Sequence, residues 1–511
     1  MFCSVLFLLL LSLLAFIAKG RWKCQGPGPC GSKTLPSPRP LPLLGHLLEL
    51  RRKDLPVRFM ELSRRYGPVY RLRFGTQDVV VLNTTELIRE ALIKKWSDFA
   101  GRPQSYTADL ISFGGKDLSL GNYTAMWKIQ RRLAHSSLQR SLRTNLEALI
   151  SQEAQQLCQD FLSYGSSPVD VSKDFSLHTC RIISSMTFGV LFDKKDPEFQ
   201  VIHKCIGDVV QLWSSPNITV LDSFPFLRKL PNASLDALMQ AVARRDAFVK
   251  HQLEIHKETF QPSEIRDISD SMIHFLQERK QQEQTPAAAG GEEFDEDYIH
   301  MAIVDLFIGG TETTASTLTW SVAYLMHHPQ VQERIYSEML EVLGPERLPE
   351  YSDRVHLPLL WATISEMLRL RPVAPLAVPH ATTRDTSLSG YFIPKGTVVI
   401  PNLYAANHDE TKWKNPTQFR PERFMEAEDP KQAHRDVLSF GAGARVCLGE
   451  SLARMEIFFF LAHLLRHFRF LPLVPGQLPD LCGIFGINLR SKPFQVRFVP
   501  WTEPGKDEGQ E

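Results

Sequence analysis

The sequence lacks the residues for a disulfide framework or for a clustered zinc site. Its eight cysteines are scattered over 511 residues, and no two of them form a Cys-x-x-Cys pair. Such scatter is typical of a protein in a reducing compartment rather than of a small secreted domain. The chain also has almost no net charge, since 58 basic residues oppose 57 acidic ones. Because no bulk field would attract nucleic acid, we expect no nucleic-acid partner.

The sequence does contain enough apolar residues for a large core. Apolar residues make up 43% of the chain and charged residues 23%, a balance that excludes a wholly disordered protein. Helical periodicity is clear over residues 146–161, 235–260 and 301–327. Strand-like runs are short and few, at residues 69–74, 78–82, 398–401 and 494–499. The sequence therefore predicts a mainly α fold with small β-sheets.

The N-terminus departs from globular composition. Residues 1–18 carry no charge and just reach the about 17–25 residues needed to span a bilayer. Both a cleaved signal and a retained anchor have such a run, but a cleaved signal has its positive charges in front of it. Here Lys19, Arg21 and Lys23 follow it. This asymmetry favours a signal-anchor helix, with the rest of the chain in the cytosol.

Four segments are expected along the chain: the anchor over residues 1–18, a basic and proline-rich hinge over 19–45, a catalytic domain over 46–500, and a disordered tail over 501–511. Proline at alternate positions of residues 36–42 predicts a stiff, extended segment. Residues 281–297 are polar and predict an exposed linker.

The most informative motif is Phe440-Gly-Ala-Gly-Ala-Arg-Val-Cys447-Leu-Gly449, directly before a predicted helix over residues 450–468. Its glycines let the backbone turn tightly and approach a flat ligand. Arg445 and the N–H groups at the helix start would stabilise a thiolate. A lone buried cysteine is more often inert, but this combination indicates an axial ligand of haem iron.

This run resembles the signature of the cytochrome P-450 (haem-thiolate) monooxygenases, Phe-x-x-Gly-x-Arg-x-Cys-x-Gly, at every fixed position. The resemblance implies the P-450 fold, with a single large catalytic domain behind the anchor. It also implies haem b as cofactor, with Cys447 as the metal ligand. The chain has no flavin or nicotinamide segment, so the resemblance names an NADPH-dependent flavoprotein reductase as electron donor.

Two further motifs resemble a buried ion network of the family. Glu366-Met-Leu-Arg369 is similar to its Glu-x-x-Arg pair, and Pro421-Glu-Arg-Phe424 supplies a third member, Arg423. An acid and an arginine three residues apart on a helix usually form a solvated pair. With Arg423 present, the resemblance implies a structural triad that fixes the haem-binding loop.

Two adjacent glycines, Gly309 and Gly310, interrupt the predicted helix over residues 301–327, at about 1 kcal/mol each relative to alanine. One interpretation is close packing between helices. The resemblance suggests another, in which the glycines leave a groove for dioxygen. Glu312 and Thr313 would then be the catalytic pair: Thr313 hydrogen-bonds dioxygen, and Glu312 relays protons with ordered water.

Haem has two propionates, and arginine suits a carboxylate because its planar fork can bind both oxygens. A histidine at such a site can instead satisfy a backbone group. By motif match, the residues implied in cofactor binding are Arg102, Trp127, Arg131, His380 and Arg445, together with Cys447.

Several stretches, including residues 305–315, 378–384 and 393–402, resemble the steroid-hydroxylating members of the family. They imply hydroxylation at C21 of progesterone or its 17-hydroxylated form, in a flat apolar pocket with one polar anchor. Arg245 matches the arginine that binds the steroid 3-ketone, although an exposed helix charge is the alternative. The other implied substrate contacts are Trp213, Val304, Asp305, Val373 and Leu376.

The anchor and the resemblance together predict an endoplasmic reticulum membrane protein with a cytosolic catalytic domain. Lys128, Arg132 and Arg454 are candidates for a basic patch that meets the reductase, with a merely solvated face as the alternative. Two other functions stay open: a 17-hydroxylase or broader microsomal monooxygenase, and a non-catalytic haem-binding membrane protein. Glu312 and Thr313 argue against the non-catalytic one.

Overall fold

The computed structural model describes residues 33–501 except 43, 53, 76, 144–145, 166 and 284–292. The predicted anchor, most of the predicted hinge, the centre of the predicted linker and the tail from residue 502 lie outside the described residues. In the part of the chain that is described, no helix combines the length and the apolarity needed to cross a bilayer.

Helices dominate the described chain, as the apolar periodicity predicts. The α-helices are α1 (Leu55–Tyr66), α2 (Thr85–Arg89), α3 (Trp96–Phe99), α4 (Tyr106–Ile111), α5 (Ala125–Ser141), α6 (Leu146–Ser163), α7 (Val171–Phe188), α8 (Pro197–Trp213), α9 (Pro216–Ser223), α10 (Ala233–Thr259), α11 (Ile268–Glu283), α12 (Glu296–His327), α13 (Pro329–Leu343), α14 (Pro358–Leu370), α15 (Leu403–Asn407), α16 (Glu422–Met425), α17 (Pro430–Asp436) and α18 (Glu450–His467). Between them lie short 3-10 segments at Leu47–Arg51, Pro225–Lys229, Tyr351–Val355 and Gly443–Arg445, and a π-helical turn at Glu90–Lys94.

Polar side chains cap the first turns of several helices. Thr124 accepts a hydrogen bond from the backbone N–H of Trp127 at the start of α5, and Asp196 accepts from two N–H groups at the start of α8. Asp295 caps α12 in the same way. Each cap satisfies backbone donors that have no partner inside the helix. The cap at Asp295 starts α12 five residues before the apolar pattern does, inside the segment predicted as a linker.

The strands are short, as predicted: β1 (Val69–Phe74), β2 (Gln77–Leu82), β3 (His380–Ala381), β4 (Thr386–Leu388), β5 (Tyr391–Ile393), β6 (Val398–Pro401), β7 (Phe468–Pro472), β8 (Ile484–Phe485), β9 (Leu489–Arg490) and β10 (Val496–Pro500). They form one four-stranded sheet in the order β1-β2-β6-β3 and three pairs, β10-β7, β4-β5 and β8-β9. In the larger sheet β2 and β6 are parallel, whereas β1 and β3 run antiparallel to their neighbours.

The described chain forms two compact units. The first consists of residues 33–103, 376–406 and 442–445 and contains the four-stranded sheet, whose strand β6 is buried along its whole length. Part of the proline-rich segment lies against this sheet, since the N–H of Arg71 donates to the carbonyl oxygen of Pro36 at 2.9 Å. Gly45 ends that segment with a φ of +61°, and a Cβ there would lie 2.2 Å from the carbonyl oxygen of Arg73.

The second unit consists of residues 104–375, 407–441 and the described residues from 446 onward. Its core surrounds the 32-residue helix α12, which packs against α7, α14 and α18. Almost every residue of α12 from Tyr298 to Met326 is buried, as expected for a helix that is apolar on all sides. The helix that carries the glycine pair is thus the central element of this unit.

Candidate active site

The segment that carries Cys447 folds as a tight loop directly before α18. Gly441 and Gly443 have left-handed φ angles of 73° and 71°, which glycine adopts without strain. Gly443 also has no room for a side chain, because a Cβ would lie 1.6 Å from the carbonyl oxygen of Leu92. The N–H of Cys447 donates to the carbonyl oxygen of Phe440 at 2.9 Å and closes the loop.

The Cys447 thiol lies in a recess. Its side chain is exposed, yet burial by the surrounding protein raises the pKa of the thiol above its ordinary value. The backbone N–H of Gly449 and the positive charge of Arg131 act against that rise, because both favour the thiolate. Arg131 is fixed by a hydrogen bond from Nη2 to the carbonyl oxygen of Val446. This is the environment that an anionic sulfur ligand needs.

Glu366, Arg369 and Arg423 meet in the interior of the second unit. Arg369 donates from Nε and Nη2 to the two carboxylate oxygens of Glu366, at 2.8 and 2.9 Å, and Arg423 donates from Nε at 3.0 Å. Glu366 and Arg369 have no exposed surface. The ordinary interpretation of a Glu-x-x-Arg pair, a solvated surface contact, is therefore wrong here.

Asn407 connects this triad to the cysteine loop. Arg369 donates from Nη1 to the carbonyl oxygen of Asn407 at 2.7 Å. The side chain of Asn407 in turn accepts from the N–H of Leu438 at 2.9 Å and donates to Ser439 at 3.1 Å. Leu438 and Ser439 directly precede Phe440, so a continuous set of hydrogen bonds runs from the triad to the start of the loop.

Helix α12 presents one accessible stripe. Among its residues from Tyr298 to Met326, only Asp305, Ile308, Gly309, Gly310, Glu312 and Thr313 are not buried. Five of these recur at the spacing i, i+3, i+4, i+7 and i+8, which is one face of a helix. The predicted catalytic pair, Glu312 and Thr313, lies on this accessible face.

The two adjacent glycines lie in different surroundings. A Cβ on Gly310 would lie 2.3 Å from Cδ1 of Ile183, so this glycine permits the close approach of α7. A Cβ on Gly309 would meet nothing within 4 Å. Gly310 therefore serves helix packing, and Gly309 leaves open space on the accessible stripe.

Glu312 and Thr313 are adjacent in sequence but bond to different elements. Thr313 donates from its hydroxyl to the carbonyl oxygen of Gly309 at 2.5 Å. Glu312 accepts from the hydroxyl of Ser176 on α7 at 2.8 Å, and the same hydroxyl lies 2.8 Å from Nε2 of His203 on α8. Ser176 and His203 carry no motif, and sequence reasoning missed both.

Three of the predicted propionate-binding residues lie together in the first unit. Arg102 donates from Nη1 to the carbonyl oxygens of Val378 and Pro379, both at 2.9 Å, and Arg445 donates from Nε to that of Ala100 at 3.0 Å. His380 is buried, and its Nδ1 lies 2.7 Å from the carbonyl oxygen of Phe99.

The histidine of this group satisfies a backbone carbonyl, as the alternative interpretation of the sequence expected. Burial, and then the positive charge of Arg102, lowers the pKa of His380 well below its ordinary value. The ring is therefore neutral, and because Nδ1 donates to a carbonyl, Nε2 carries no proton. An anion nearby would raise this pKa.

Arg245 is 2% exposed, so the alternative that treated it as an exposed helix charge is wrong. It donates from Nε to Asp246 at 2.8 Å and from Nη2 to the carbonyl oxygen of Ile111 at 2.9 Å. Its third nitrogen, Nη1, has no hydrogen-bond partner among the described residues. The positive charge of Arg245 also reaches Asp305, where it opposes the rise in pKa that burial causes. Arg245 thus lies close to the accessible stripe.

The other predicted substrate contacts are spread over several environments. Asp305 accepts from the N–H of Leu118 and the hydroxyl of Ser119, at 2.5 and 2.6 Å. Trp213 is half-buried and donates from Nε1 to Thr107 at 3.1 Å. Val304 and Val373 are buried in the second unit, and Leu376 is half-buried in the first. Val304 and Asp305 are adjacent on α12, and only Asp305 lies on the accessible stripe.

Comparison with known proteins identifies the family. The profile described as Cytochrome P450 matches residues 35–498. The chain belongs to the cytochrome P450 family. The predicted haem-thiolate monooxygenase and its mainly α fold are thereby confirmed, and haem is the cofactor that this family implies.

Individual P450 relatives match over nearly the whole chain. Steroid 21-hydroxylase of Bos taurus is 45% identical over 504 residues, which is 96% of each chain. The protein of the same name from Homo sapiens is 45% identical over 465 residues, 90% of this chain and 91% of its own. A solved zebrafish P450 structure with progesterone superposes with a TM-score of 0.78 at 35% identity, covering 87% of this chain and 99% of its own.

The second unit offers donors and space that fit a P450 haem. Cys447 supplies an accessible sulfur with a thiolate-favouring N–H and cation beside it. Gly309 supplies an open position on α12 that a Cβ would fill. Trp127 is buried and donates from Nε1 to the carbonyl oxygen of Leu118 at 3.0 Å, so it supports the fold around Arg131 on the same helix.

The candidate reductase patch is only partly present. Lys128 and Arg132 are exposed one turn apart on α5. Arg454, in contrast, donates to Glu450 at 3.0 Å, and its side chain is 15% exposed and stacks over Phe440. A paired and largely covered guanidinium contributes little to a surface field, so we remove Arg454 from this patch.

Proposed function

We propose that this P450 is a steroid 21-monooxygenase that acts on progesterone, on 17-hydroxyprogesterone, or on both, as a step in corticosteroid synthesis. The observation that carries the proposal is Arg245, a buried cation with one unbonded N–H edge close to the accessible stripe of α12. This edge is available to donate to a ligand, and a steroid 3-ketone is a neutral acceptor of suitable size. The shared identity with proteins named steroid 21-hydroxylase supports the same substrate class.

The reaction replaces one C21–H bond by C–OH and reduces the second oxygen atom of dioxygen to water, with two electrons and two protons. Haem b, held by Cys447, supplies the oxygen activation when bound. In this proposal Arg102, Arg131, His380 and Arg445 neutralise its propionates. His380 can donate from Nε2 only when protonated, which the propionate charge would favour.

The residues of α12 hold and move protons in this proposal. The Glu312 carboxylate accepts protons and passes them on. The Thr313 hydroxyl, which lies beside the open position at Gly309, donates a hydrogen bond to dioxygen. The carbon that is hydroxylated is determined by a contact at the opposite end of the steroid. One anchor at the 3-ketone of a rigid ring system determines which distant carbon reaches the reactive centre, with Trp213, Val304, Asp305, Val373 and Leu376 as the proposed walls.

The electrons come from an NADPH-dependent flavoprotein reductase, for which Lys128 and Arg132 are the proposed contacts. We place the protein in the endoplasmic reticulum membrane, anchored by residues 1–18, with the catalytic domain in the cytosol.

Product analysis tests the proposal. The full-length protein, loaded with haem and reconstituted with a flavoprotein reductase, is given progesterone and 17-hydroxyprogesterone in separate reactions. Mass spectrometry and chromatography against standards should find the 21-hydroxylated product of at least one. Hydroxylation at C17 as the main product would instead make the protein a 17-hydroxylase. NADPH consumption that neither steroid stimulates would reject the steroid assignment.

A further inference from the structure

A row of hydrogen bonds leads from Glu312 away from the accessible stripe and across three helices. Glu312 on α12 lies 2.8 Å from the hydroxyl of Ser176 on α7, which lies 2.8 Å from Nε2 of His203 on α8. Ser176 is 5% exposed, whereas His203 is half-buried. The row therefore runs from the proposed catalytic acid toward the surface of the second unit.

The chemistry of the three groups fixes the direction of the bonds. The Ser176 hydroxyl has one proton, and it donates that proton to the Glu312 carboxylate. Ser176 must therefore accept from His203, and the proton of the neutral imidazole lies on Nε2. All donors in the row point toward Glu312, which is the arrangement that a proton relay requires.

The outer end of the row is suited to exchange with water. Nδ1 of His203 has no hydrogen-bond partner among the described residues. The exposed Lys173 is close enough that its charge acts on the ring, while Glu312 acts on it in the opposite sense. Burial is the largest effect and lowers the pKa of His203, so the ring is neutral at pH 7 and can take up a proton transiently.

We propose that His203 and Ser176 relay protons from solvent to Glu312, an inference that rests on the proposed role of Glu312. A proton from water binds Nδ1 of His203, the Nε2 proton moves to the Ser176 oxygen, and the Ser176 proton moves to the Glu312 carboxylate. Rotation of the His203 side chain then brings Nε2 to water, where Nε2 takes up a proton and Nδ1 releases one, and the Ser176 hydroxyl turns back toward Glu312, which resets the row. Proton number and charge balance at each step, and no other reactant is needed.

Substitutions at the two relay positions test the inference in the haem-loaded, full-length protein. Ser176→Ala removes the central hydroxyl, and Ser176→Thr restores it. His203→Gln keeps an N–H that can donate to Ser176 but cannot bind an extra proton. Matched controls are Ser184→Ala, at a buried serine on the same helix that bonds to Cys180 of its own helix, and His251→Gln, at an exposed histidine on α10.

The main readouts are the steroid product formed per NADPH consumed and its dependence on deuterated solvent. Ser176→Ala and His203→Gln should each lower this coupling several-fold and change the solvent isotope effect, with steroid affinity unchanged. Ser176→Thr should recover it, and both controls should match the wild type. A readout independent of turnover is NMR of labelled histidine, in which Ser176→Ala should remove the hydrogen-bonded Nε2–H signal of His203.

Glu312→Gln separates the relay from the role on which it rests. If Glu312→Gln lowers coupling but His203→Gln does not, the relay is wrong and Ser176 merely positions Glu312. If Glu312→Gln leaves coupling unchanged, the proposed role of Glu312 fails, and the relay fails with it. If the NMR signal is the same in Ser176→Ala as in wild type, the hydrogen bond to His203 does not exist in solution.

Discussion

The proposed binding of a steroid 3-ketone by Arg245 can be tested from both sides of the contact. On the protein side, Arg245→Gln shortens the side chain and removes the charge. It avoids a bare cavity, which matters because Arg245 also bonds to Asp246 and to the carbonyl oxygen of Ile111. Asp246 keeps a second partner in the variant, since Nε2 of His300 lies 3.1 Å from it. On the ligand side, progesterone is compared with an analogue that lacks the 3-ketone oxygen.

The expected difference in binding affinity follows from the burial of the Arg245 guanidinium. A hydrogen bond to a charged partner contributes about 1.5–3 kcal/mol, and the guanidinium is 2% exposed, so solvent weakens the bond little. The wild type should therefore bind progesterone about 10- to 150-fold more tightly than the analogue. In Arg245→Gln this preference should largely disappear, and products at carbons other than C21 should appear because the anchor is lost.

Steroid-induced changes in the haem absorption spectrum give the four dissociation constants, and mass spectrometry gives the products. The matched control is Arg244→Gln, which removes the same charge from the exposed neighbouring position on α10. It should retain the full preference for the ketone. If Arg245→Gln discriminates between the two ligands as strongly as the wild type, Arg245 serves only its contacts with Asp246 and the carbonyl oxygen of Ile111. The case for a steroid would then depend on the relatives alone.

Three further predictions concern the haem ligand, the glycine pair and a buried acid. Cys447→Ser should abolish the long-wavelength absorption band of the reduced carbon monoxide complex, because a neutral hydroxyl is a poor ligand for haem iron; survival of that band would refute the assignment. Gly310→Ala should destabilise the fold by about 1–3 kcal/mol in a denaturant titration, because the new methyl group overpacks against Ile183. Gly309→Ala should leave the stability unchanged or improved, but it should lower the turnover rate. Burial raises the pKa of Glu456 from 4.5 to about 8. Between these two pH values the folded state keeps a proton that the unfolded state has lost. The free energy of unfolding should therefore fall as the pH rises from about 4.5 to about 8. Glu456→Gln should remove that fall, and equal slopes of unfolding free energy against pH in both proteins would contradict the reasoning.

The sequence predicted features whose cause is local. The apolar period predicts α6 and α12, and the cap at Asp295 explains why α12 begins earlier than its apolar residues do. The loop around Cys447 was also predictable, because its glycines are required by backbone angles that each residue adopts individually. Local chemistry of this kind is visible in a single stretch of sequence.

Features that depend on the packing of distant segments could not be predicted. The pair Gly309 and Gly310 was ambiguous until Ile183, on another helix, was seen to occupy the space beside only one of them. The burial of Arg245 is likewise decided by Ile111, 134 residues away. Ser176 and His203 are ordinary residues that gain a role only because three helices bring them to Glu312. Helical periodicity gives the face of each residue but not the neighbour that the face meets.

The triad of Glu366, Arg369 and Arg423 shows why a structural role fits charged residues at the centre of this protein. Two guanidinium groups surround one carboxylate, and the excess positive charge is met by backbone oxygens, including those of Asn407 and Lys414. A group used in proton transfer needs access to water or substrate, whereas Glu366 and Arg369 have no exposed surface. Loss of Glu366 would leave both guanidinium groups without a carboxylate, at about 3–5 kcal/mol. Asn407 extends the hydrogen bonds of the triad to Leu438 and Ser439. Loss of the triad would therefore also destabilise the segment that leads to Cys447. The triad therefore couples the folding of the helical core to the position of Cys447, the proposed sulfur ligand.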